Sequence, residues 1–460
     1  SKLKIHSKAS TEDLGIYCLN DVYYCSRLHR ILRSRILKRG LDKVWNHEIR
    51  TSRVSWKMEK YGVFVDREYC SNAIKILDLN TSVLEKEVAE AYGEPINLGS
   101  NVDVKKFFKK LGVRSTVTTK TGNESWNEQA IMQLNDPLAI KVRDWRSVQK
   151  LKTSYLVPYL SRENPIHTTM KNWGTITGRF SYADPNFQQL PKEGIPITNE
   201  AVQVKSEEFK QAVQQLIQAQ SKAVKGGTGL SYGSLMSYER TEFDETREVS
   251  VRRAIIPRPG HVLLSFDYSQ MELRVLSYYI NNKEVDKYLD DPGWDGHSWV
   301  AETVWKVKKT DENFSLFRGI AKAVNFGVLY GEGNALLAAQ LGKTLEEAKQ
   351  FRRDYYARIP GLRKLMNNLQ STLRDRGFIY NSFGRFYSVP EERFYVLLNY
   401  LIQGTSADFL KNRMYALELH ELFRSGICHQ IIQVHDELII ECPINAIDSS
   451  VSTITKILEE

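Results

Sequence analysis

Apolar residues recur at helical spacing through the first third of the chain. Leu14, Tyr17, Val22, Leu28, Ile31 and Leu32 predict one long helix over Thr11–Arg39. Its end is basic (Arg27, Arg30, Arg33, Arg35, Lys38, Arg39), which reads either as a solvated face or as a nucleic-acid contact. A second amphipathic stretch, Trp45–Tyr61, is broken at YGVFVD, and a third runs over Ser71–Tyr92. Ser100 and Asn101 are good N-caps for a helix after NLGSN, and TKTGNES at 119–125 is a turn. Residues 45–165 therefore read as mostly helical.

The pattern changes in the last 215 residues. HVLLSFD reads as a buried strand and MELRVLSYYI as the helix after it. Residues 315–331 form another helix, and IIQVHDELIIE is two apolar strands around a polar tip. Residues 192–246 stand apart from both regions. They number 55, with a helical first half (Ser206–Val224) and a second half rich in Gly, Ser and Tyr. Loops of that length are usually functional or disordered.

Composition narrows the class. At about 100–200 residues per domain, 460 residues make two to four domains or one multi-lobed enzyme. The 42% hydrophobic and 26% charged shares are those of a globular protein and exclude a disordered or fibrous one. No apolar run approaches the ~18 residues that span a bilayer, so no membrane partner is expected. The five cysteines (Cys18, Cys25, Cys70, Cys428, Cys442) form no C-x-x-C pair. They read as reduced core thiols rather than a disulfide framework or a zinc site. A net charge of +9 fits a polyanionic partner without demanding one.

Three segments carry candidate chemistry. In SFDYSQMELR the apolar strand ends in Asp267. Alone, Asp267 reads equally as a helix cap. In QVHDELIIE the hairpin tip holds His435 and Asp436, where Asp also suits a turn for structural reasons. Two carboxylates on separate strands can share a pair of divalent cations about 3.5–4 Å apart, and Mg²⁺ prefers such oxygen ligands. In RGIAKAVNFGVLYGEG, Arg318, Lys322, Phe326 and Tyr330 recur every four residues. At ~100° per residue they share one ~120° sector. Ile320, Val324 and Val328 fall opposite and can anchor the helix. The stripe offers cations to a triphosphate and rings to a base; on its own it reads as well as a solvated basic face. Together the three segments outline a nucleotidyl-transfer site built on positioning and charge neutralisation.

DYSQMELR, RGIAKAVNFGVLYG and QVHDE, in this order, resemble motifs A, B and C of the family A DNA polymerases, the bacterial DNA polymerase I type. TGRFSYADPNFQQLP at 177–191, KLKTSYL at 150–156, NLGS at 97–100, FGR at 383–385 and NYLIQGTSADFLK at 399–411 extend the likeness. It implies an α+β right-hand fold, with a mostly helical thumb and fingers around an antiparallel-sheet palm. Residues 1–44 would be a remnant of a 3′–5′ exonuclease domain and 45–165 connecting helices and thumb. Palm would be 166–280 with the insertion 192–246, fingers 281–395, and a second palm part 396–460. The implied activity is template-directed addition of dNTPs to a primer 3′-OH, with two Mg²⁺ ions and pyrophosphate release.

The resemblance also implies roles. Asp267 and Asp436, with the Tyr268 carbonyl, would hold the metals, and Glu437 would be a further catalytic residue near the metals and the primer end. Arg318, Lys322, His297 and Gln270 would contact the triphosphate, with Lys322 as general acid. Phe326 and Tyr330 would border the nascent base pair. Glu272 would be the steric gate against a ribose 2′-OH, and Phe rather than Tyr at 326 implies discrimination against ddNTPs. Arg179, Asn399, Gln403, His435, Arg385, Lys150 and Asn186 would meet DNA.

Departures from the family pattern set further expectations. YCLND resembles an exonuclease motif in which Tyr17 and Asp21 are remnants. One Asp cannot hold two metals, so no proofreading is expected of this chain. The chain is expected to be truncated at both ends, lacking a final palm strand. Residues 192–246 carry six basic and eight acidic residues, which disfavours a DNA-binding arm. They read as a variable loop or as a docking site for a replisome or processivity factor, and such an insertion fits a bacteriophage member. The expected compartment is the cytoplasm of a bacterial or phage-infected cell. A single-subunit RNA polymerase is disfavoured by Glu272. A dead accessory subunit is disfavoured by the joint presence of Asp267, Asp436 and Lys322.

Overall fold

The computed structural model describes residues 10–115, 123–127, 130, 131, 134, 136–191, 194–196, 248–281, 295–329 and 332–460. Tyr330, the helix expected over Ser206–Val224 and nearly all of the 192–246 segment lie outside the described residues. Ile195 and Pro196 are described and pair with Val249 and Glu248.

The chain opens with α1 (Thr11–Lys38), capped by Ser10 Oγ, which accepts a hydrogen bond from Asp13 N at 3.0 Å. Among the described residues none of α1 is buried. Tyr17, Asp21, Cys18 and Cys25 are exposed along it. The expectation of five core thiols thus fails for two of them, because α1 packs against almost nothing. Cys70, Cys428 and Cys442 are buried as expected.

Next come α2 (Asp42–Tyr61), β1 (Phe64–Val65) and α3 (Arg67–Tyr92). Asp66 caps α3, with its Oδ1 accepting from Tyr69 N at 2.8 Å, and Gly93 ends it at φ 89°. That left-handed turn is one glycine adopts without a Cβ penalty. Helices α4 (Asn101–Lys110) and α5 (Pro137–Leu151) follow, the latter with Pro at its first turn. Val88, Phe107, Phe108, Trp126 and Val142 form a small separate core there.

Strands β2 (Thr169–Lys171) and β3 (Ser181–Ala183) make a hairpin, and β4 (Ile255–Ile256) pairs with β1. Strand β5 (His261–Asp267) leads into α6 (Met271–Ile280). Then come α7 (Gly296–Trp305), α8 (Phe314–Leu329), α9 (Asn334–Leu341), α10 (Leu345–Arg358) and α11 (Leu362–Arg376). A short hairpin, β6 (Ile379–Tyr380) and β7 (Phe386–Tyr387), precedes α12 (Leu397–Leu419). The chain closes with β8 (His429–Val434), β9 (Glu437–Pro443) and α13 (Ile447–Glu459).

The central sheet has the order β8–β9–β5 and is antiparallel throughout. Ile432, Val434, Leu438 and Ile440 bury its interior against α2 and α12. The second large core joins α6, α7, α8, α10 and α11. Helix α12 spans both, with Leu397, Leu401 and Ile402 in one and Leu410, Met414 and Leu417 in the other. A helix that must serve two cores is apolar on more than one face, which is why α12 shows no clean amphipathic stripe.

Candidate active site

Strand register builds the first half of the site. Asp267, the last residue of β5, lies opposite Glu437, the first residue of β9. The β8–β9 turn is two residues long, His435 and Asp436, and His435 sits at φ 55°. Two-residue hairpins need such positive angles because they match the strand twist. Tyr268 N donates to the Asp436 carbonyl at 3.4 Å, so the two Asp-bearing segments meet main chain to main chain. Asp267 and Asp436 are half-buried, and His435 is exposed at the tip.

Glu437 is buried and its carboxylate is already taken. Arg252 Nη1 donates to both oxygens at 3.0 and 2.9 Å, and Ser265 Oγ donates to Oε1 at 2.7 Å. It therefore acts as a strut beside Asp267, facing protein donors. Tyr268 sends its hydroxyl to the Leu458 carbonyl at 2.7 Å, and burial raises its pKa.

The second half lies on α6, α7 and α8. Ile320 and Val324 are buried, as the helical period predicts; the side chain of Val328 lies outside the described residues. Arg318 and Lys322 are exposed on the opposite side, and Phe326 is half-buried against His297, ring centroids 5.7 Å apart. His297 is buried, its Nδ1 2.9 Å from Asn325 Nδ2. Burial, opposed by Asp295, lowers its pKa to about 4, so the ring is neutral at neutral pH.

Asp295 was not singled out by the sequence, yet it ties this half together. Its Oδ1 accepts from His297 N at 3.2 Å and Gln270 Nε2 at 3.4 Å. Its Oδ2 accepts from Ser298 Oγ at 2.5 Å and Arg318 Nε at 2.7 Å. Burial works to raise its pKa, but the Arg318 and Ser298 bonds outweigh that and hold it at about 2. Gln270, at φ 51°, also accepts from Gly296 N at 2.8 Å through Oε1. The available signal was an Asp before a Gly at a helix start, an N-cap pattern two residues from His297.

A third group surrounds Arg179. Its guanidinium pairs with Glu272. The turn before it is clamped from two sides. A Cβ on Gly178 would lie 2.6 Å from Arg385 Cζ, and one on Gly404 would lie 1.6 Å from Tyr387 Oη. Both glycines are therefore required by close approach. Tyr387 Oη in turn donates to the Thr177 carbonyl at 3.4 Å. Arg385 was expected to meet DNA, but it is mostly buried and ion-paired with Asp408 and Glu48. Burial alone would lower its pKa; the bonds to Asp408 and Glu48 raise it instead. Lys411 completes the group, donating to Glu48 Oε1 at 2.8 Å and the Asn172 carbonyl at 2.7 Å. Asn399 and Gln403 lie buried one turn apart on α12. Asn186 caps a short turn, its Oδ1 accepting from Gln188 N at 2.9 Å, and Lys150 is exposed on α5, away from these groups in sequence.

Asp267 and Asp436 offer hard carboxylate oxygens of the kind Mg²⁺ takes. Among the described residues no group of three or more His, Cys, Asp or Glu side chains is arranged to hold a metal. Two protein carboxylates suit Mg²⁺, which keeps waters and substrate phosphates in its shell.

The family model "DNA polymerase family A" matches residues 67–460. The chain is 30% identical to DNA polymerase I of Rhizobium leguminosarum, over 96% of this chain and 40% of that protein. It is 28% identical to the thermostable DNA polymerase I of Thermus thermophilus, over 94% of this chain and 47% of that one. Among solved structures it is similar to the POL domain of Pol1 from M. smegmatis, in complex with DNA primer-template and dNTP. There the TM-score is 0.69 at 22% identity, covering 89% of this chain and 66% of that one. The chain belongs to the family A DNA polymerases and has their right-hand fold. It spans less than half the length of those two curated relatives. Members of the family are generally metal-dependent. No described helix is long and apolar enough to cross a membrane.

Proposed function

We propose that this chain carries out template-directed DNA synthesis, adding dNTPs to a primer 3′-OH with release of pyrophosphate. The observation that carries the reading is a continuous hydrogen-bonded path. From Asp267 the chain turns through Gln270, which bonds Gly296 and Asp295 at the start of α7, and His297 of α7 meets Asn325 of the cationic helix α8. A carboxylate end and a cationic helix face are thereby held on one frame, as in-line phosphoryl transfer requires.

The 3′-OH loses its proton to solvent water, its oxygen attacks the α-phosphorus, and the bond from that phosphorus to the oxygen bridging to the β-phosphate breaks. Two Mg²⁺ ions held by Asp267, Asp436 and the Tyr268 carbonyl would lower the pKa of the attacking hydroxyl and stabilise the leaving oxygen. Arg318 and Lys322 bind the phosphates, and Lys322 hands a proton to the pyrophosphate. Neutral His297 donates a hydrogen bond without adding charge. Phe326 and Tyr330 stack at the new base pair. Glu272 closes the space a 2′-OH would need, and its Arg179 partner lies toward the primer terminus with Asn399, Gln403 and His435. Glu437 and Arg385 act from behind these residues, holding strand register and the Arg179 turn. Lys150 and Asn186 are assigned to the primer–template path.

In this reading residues 45–165 are connecting helices and thumb, 166–280 and 396–460 palm, and 281–395 fingers. Residues 1–44 correspond to the tail of an exonuclease domain, and 192–246 to a variable loop or the seat of a replication partner. The working compartment is the cytoplasm of a bacterial or phage-infected cell. The test is Mg²⁺-dependent extension of a primed DNA template beside Asp436→Asn. Templated dNTP addition lost in the variant supports the reading; tight primer–template binding without extension makes the chain an accessory binder instead.

A further inference from the structure

Arg318 is the cation that the reading above gives to the incoming triphosphate, and in this structure a carboxylate already holds it. Asp295 has four donors, and two of them are local. His297 N and Ser298 Oγ belong to the first turn of α7, and Gln270 comes from the start of α6. The fourth, Arg318, comes from α8, 23 residues away in sequence, and its side chain is 44% exposed against 25% for Asp295. The local donors keep Asp295 in place whether or not Arg318 is present, so Arg318 is the exchangeable member. A carboxylate oxygen 2.7 Å from Nε offers the same charge and acceptor geometry as a phosphate oxygen. Lys322, one turn further along the same face, is exposed.

We propose that Asp295 is an internal competitor for Arg318, a latch that a polyphosphate must displace to gain the Nε edge of the guanidinium. The inference rests on the nucleotide site proposed above. Affinity for a ligand that uses the Nε edge is reduced by the fraction of molecules in which Asp295 engages it, since that edge is open only in the released state. The carboxylate is ionised throughout the working pH range, because Arg318 and Ser298 hold its pKa low. The competing charge is therefore present across that range. It also disfavours weakly charged ligands, which cannot displace one carboxylate from a guanidinium. The specificity it adds is for polyanionic phosphate chains over nucleosides.

The test uses the full chain with Asp295→Asn, which keeps the N-cap acceptor and removes the charge. On a dideoxy-terminated primer–template the equilibrium Kd of the templated dNTP should fall about 3- to 10-fold. The inhibition constant of inorganic tripolyphosphate should fall by the same factor, because no base is involved. The ratio should narrow as ionic strength rises. In an Arg318→Ala background Asp295→Asn should change neither constant, which a purely structural role for Asp295 would not produce. Asp295→Ser, another capping residue without charge, should reproduce the tightening. An unchanged or weaker dNTP Kd in both Asp295 variants would overturn the latch, as would equal tightening without Arg318. If Arg318→Ala alone leaves dNTP affinity intact, the nucleotide-site reading fails and takes the latch with it.

Discussion

The two halves of the candidate site are built by opposite means. At the end of β5 the carboxylates are placed by main chain. Ladder register sets Asp267 against Glu437, and the two-residue turn sets Asp436 beside Tyr268. On α8 the cations are long side chains, Arg318 tied to one carboxylate and Lys322 exposed. Main-chain placement fixes the backbone, leaves only a short Asp side chain to order, and responds little to salt. Side-chain placement is screened and exchangeable. The sheet end is thus suited to fix a reaction geometry, and the helix face to yield when a charged ligand arrives.

The largest expected effect breaks the first half. Asp267→Asn should lower single-turnover primer extension about 10³-fold, since a metal ligand is worth several kcal/mol of barrier. Its melting temperature should stay near that of the parent; retained extension would show that register alone does not make the sheet end catalytic. Next comes Arg385→Ala, which strips a partner from buried Asp408. About 3–5 kcal/mol of stability should be lost in urea unfolding, together with the clamp on Gly178. A loss below about 1 kcal/mol would mean the group tolerates a stranded charge.

Smaller effects probe the pocket between the halves. Glu272→Ala should raise ribonucleotide incorporation relative to deoxyribonucleotide at least about tenfold, and it also frees Arg179. Competition assays with matched rNTP and dNTP decide this. Phe326→Tyr should raise ddNTP incorporation with little change in stability, read from chain-termination patterns; unchanged termination would remove Phe326 from the sugar's surroundings.

The smallest effect is on acid stability. His297 has its pKa lowered from 6.5 to about 4, so the unfolded chain takes up its proton first as pH falls. Its contribution is intact above about 6.5 and is lost between there and about 4. Asp295 follows the same sign lower down, with stability present above 3.8 and lost as pH falls toward about 2. His297→Gln should remove the upper part of this slope in melting temperature against pH; a parent that melts at one temperature across that range would contradict the buried neutral ring.

Much of this was legible in the sequence where one period dominates. The strand read from HVLLSFD is the observed His261–Asp267, and the helix read over 315–331 is observed as Phe314–Leu329. The helix alternates between a buried and an open side; the strand is an apolar run in which Ser265 and Phe266 are buried and the rest half-buried. Asp267 and Asp436 were legible because each ends or turns an apolar strand. Arg252 was not, because its partner Glu437 is 185 residues away and no local pattern links them. Lys411 is fully buried, 363 residues from Glu48, and reads in sequence like any surface lysine of a helix. Cys18 and Cys25 were misplaced for the opposite reason. The apolar spacing of α1 suggests a packed face, and little among the described residues covers it.

The group of Glu48, Asp408, Arg385 and Lys411 has a consequence for how this chain can change over generations. The four are linked as one buried set, with Glu48 and Arg385 each holding two partners, so a single replacement leaves the set with a net charge inside the protein. Drift at these sites is blocked one codon at a time and open only to exchanges that remove an acid and a base together. The quartet is inherited as one character, and a descendant that escapes it would do so by replacing the set with apolar side chains of similar volume.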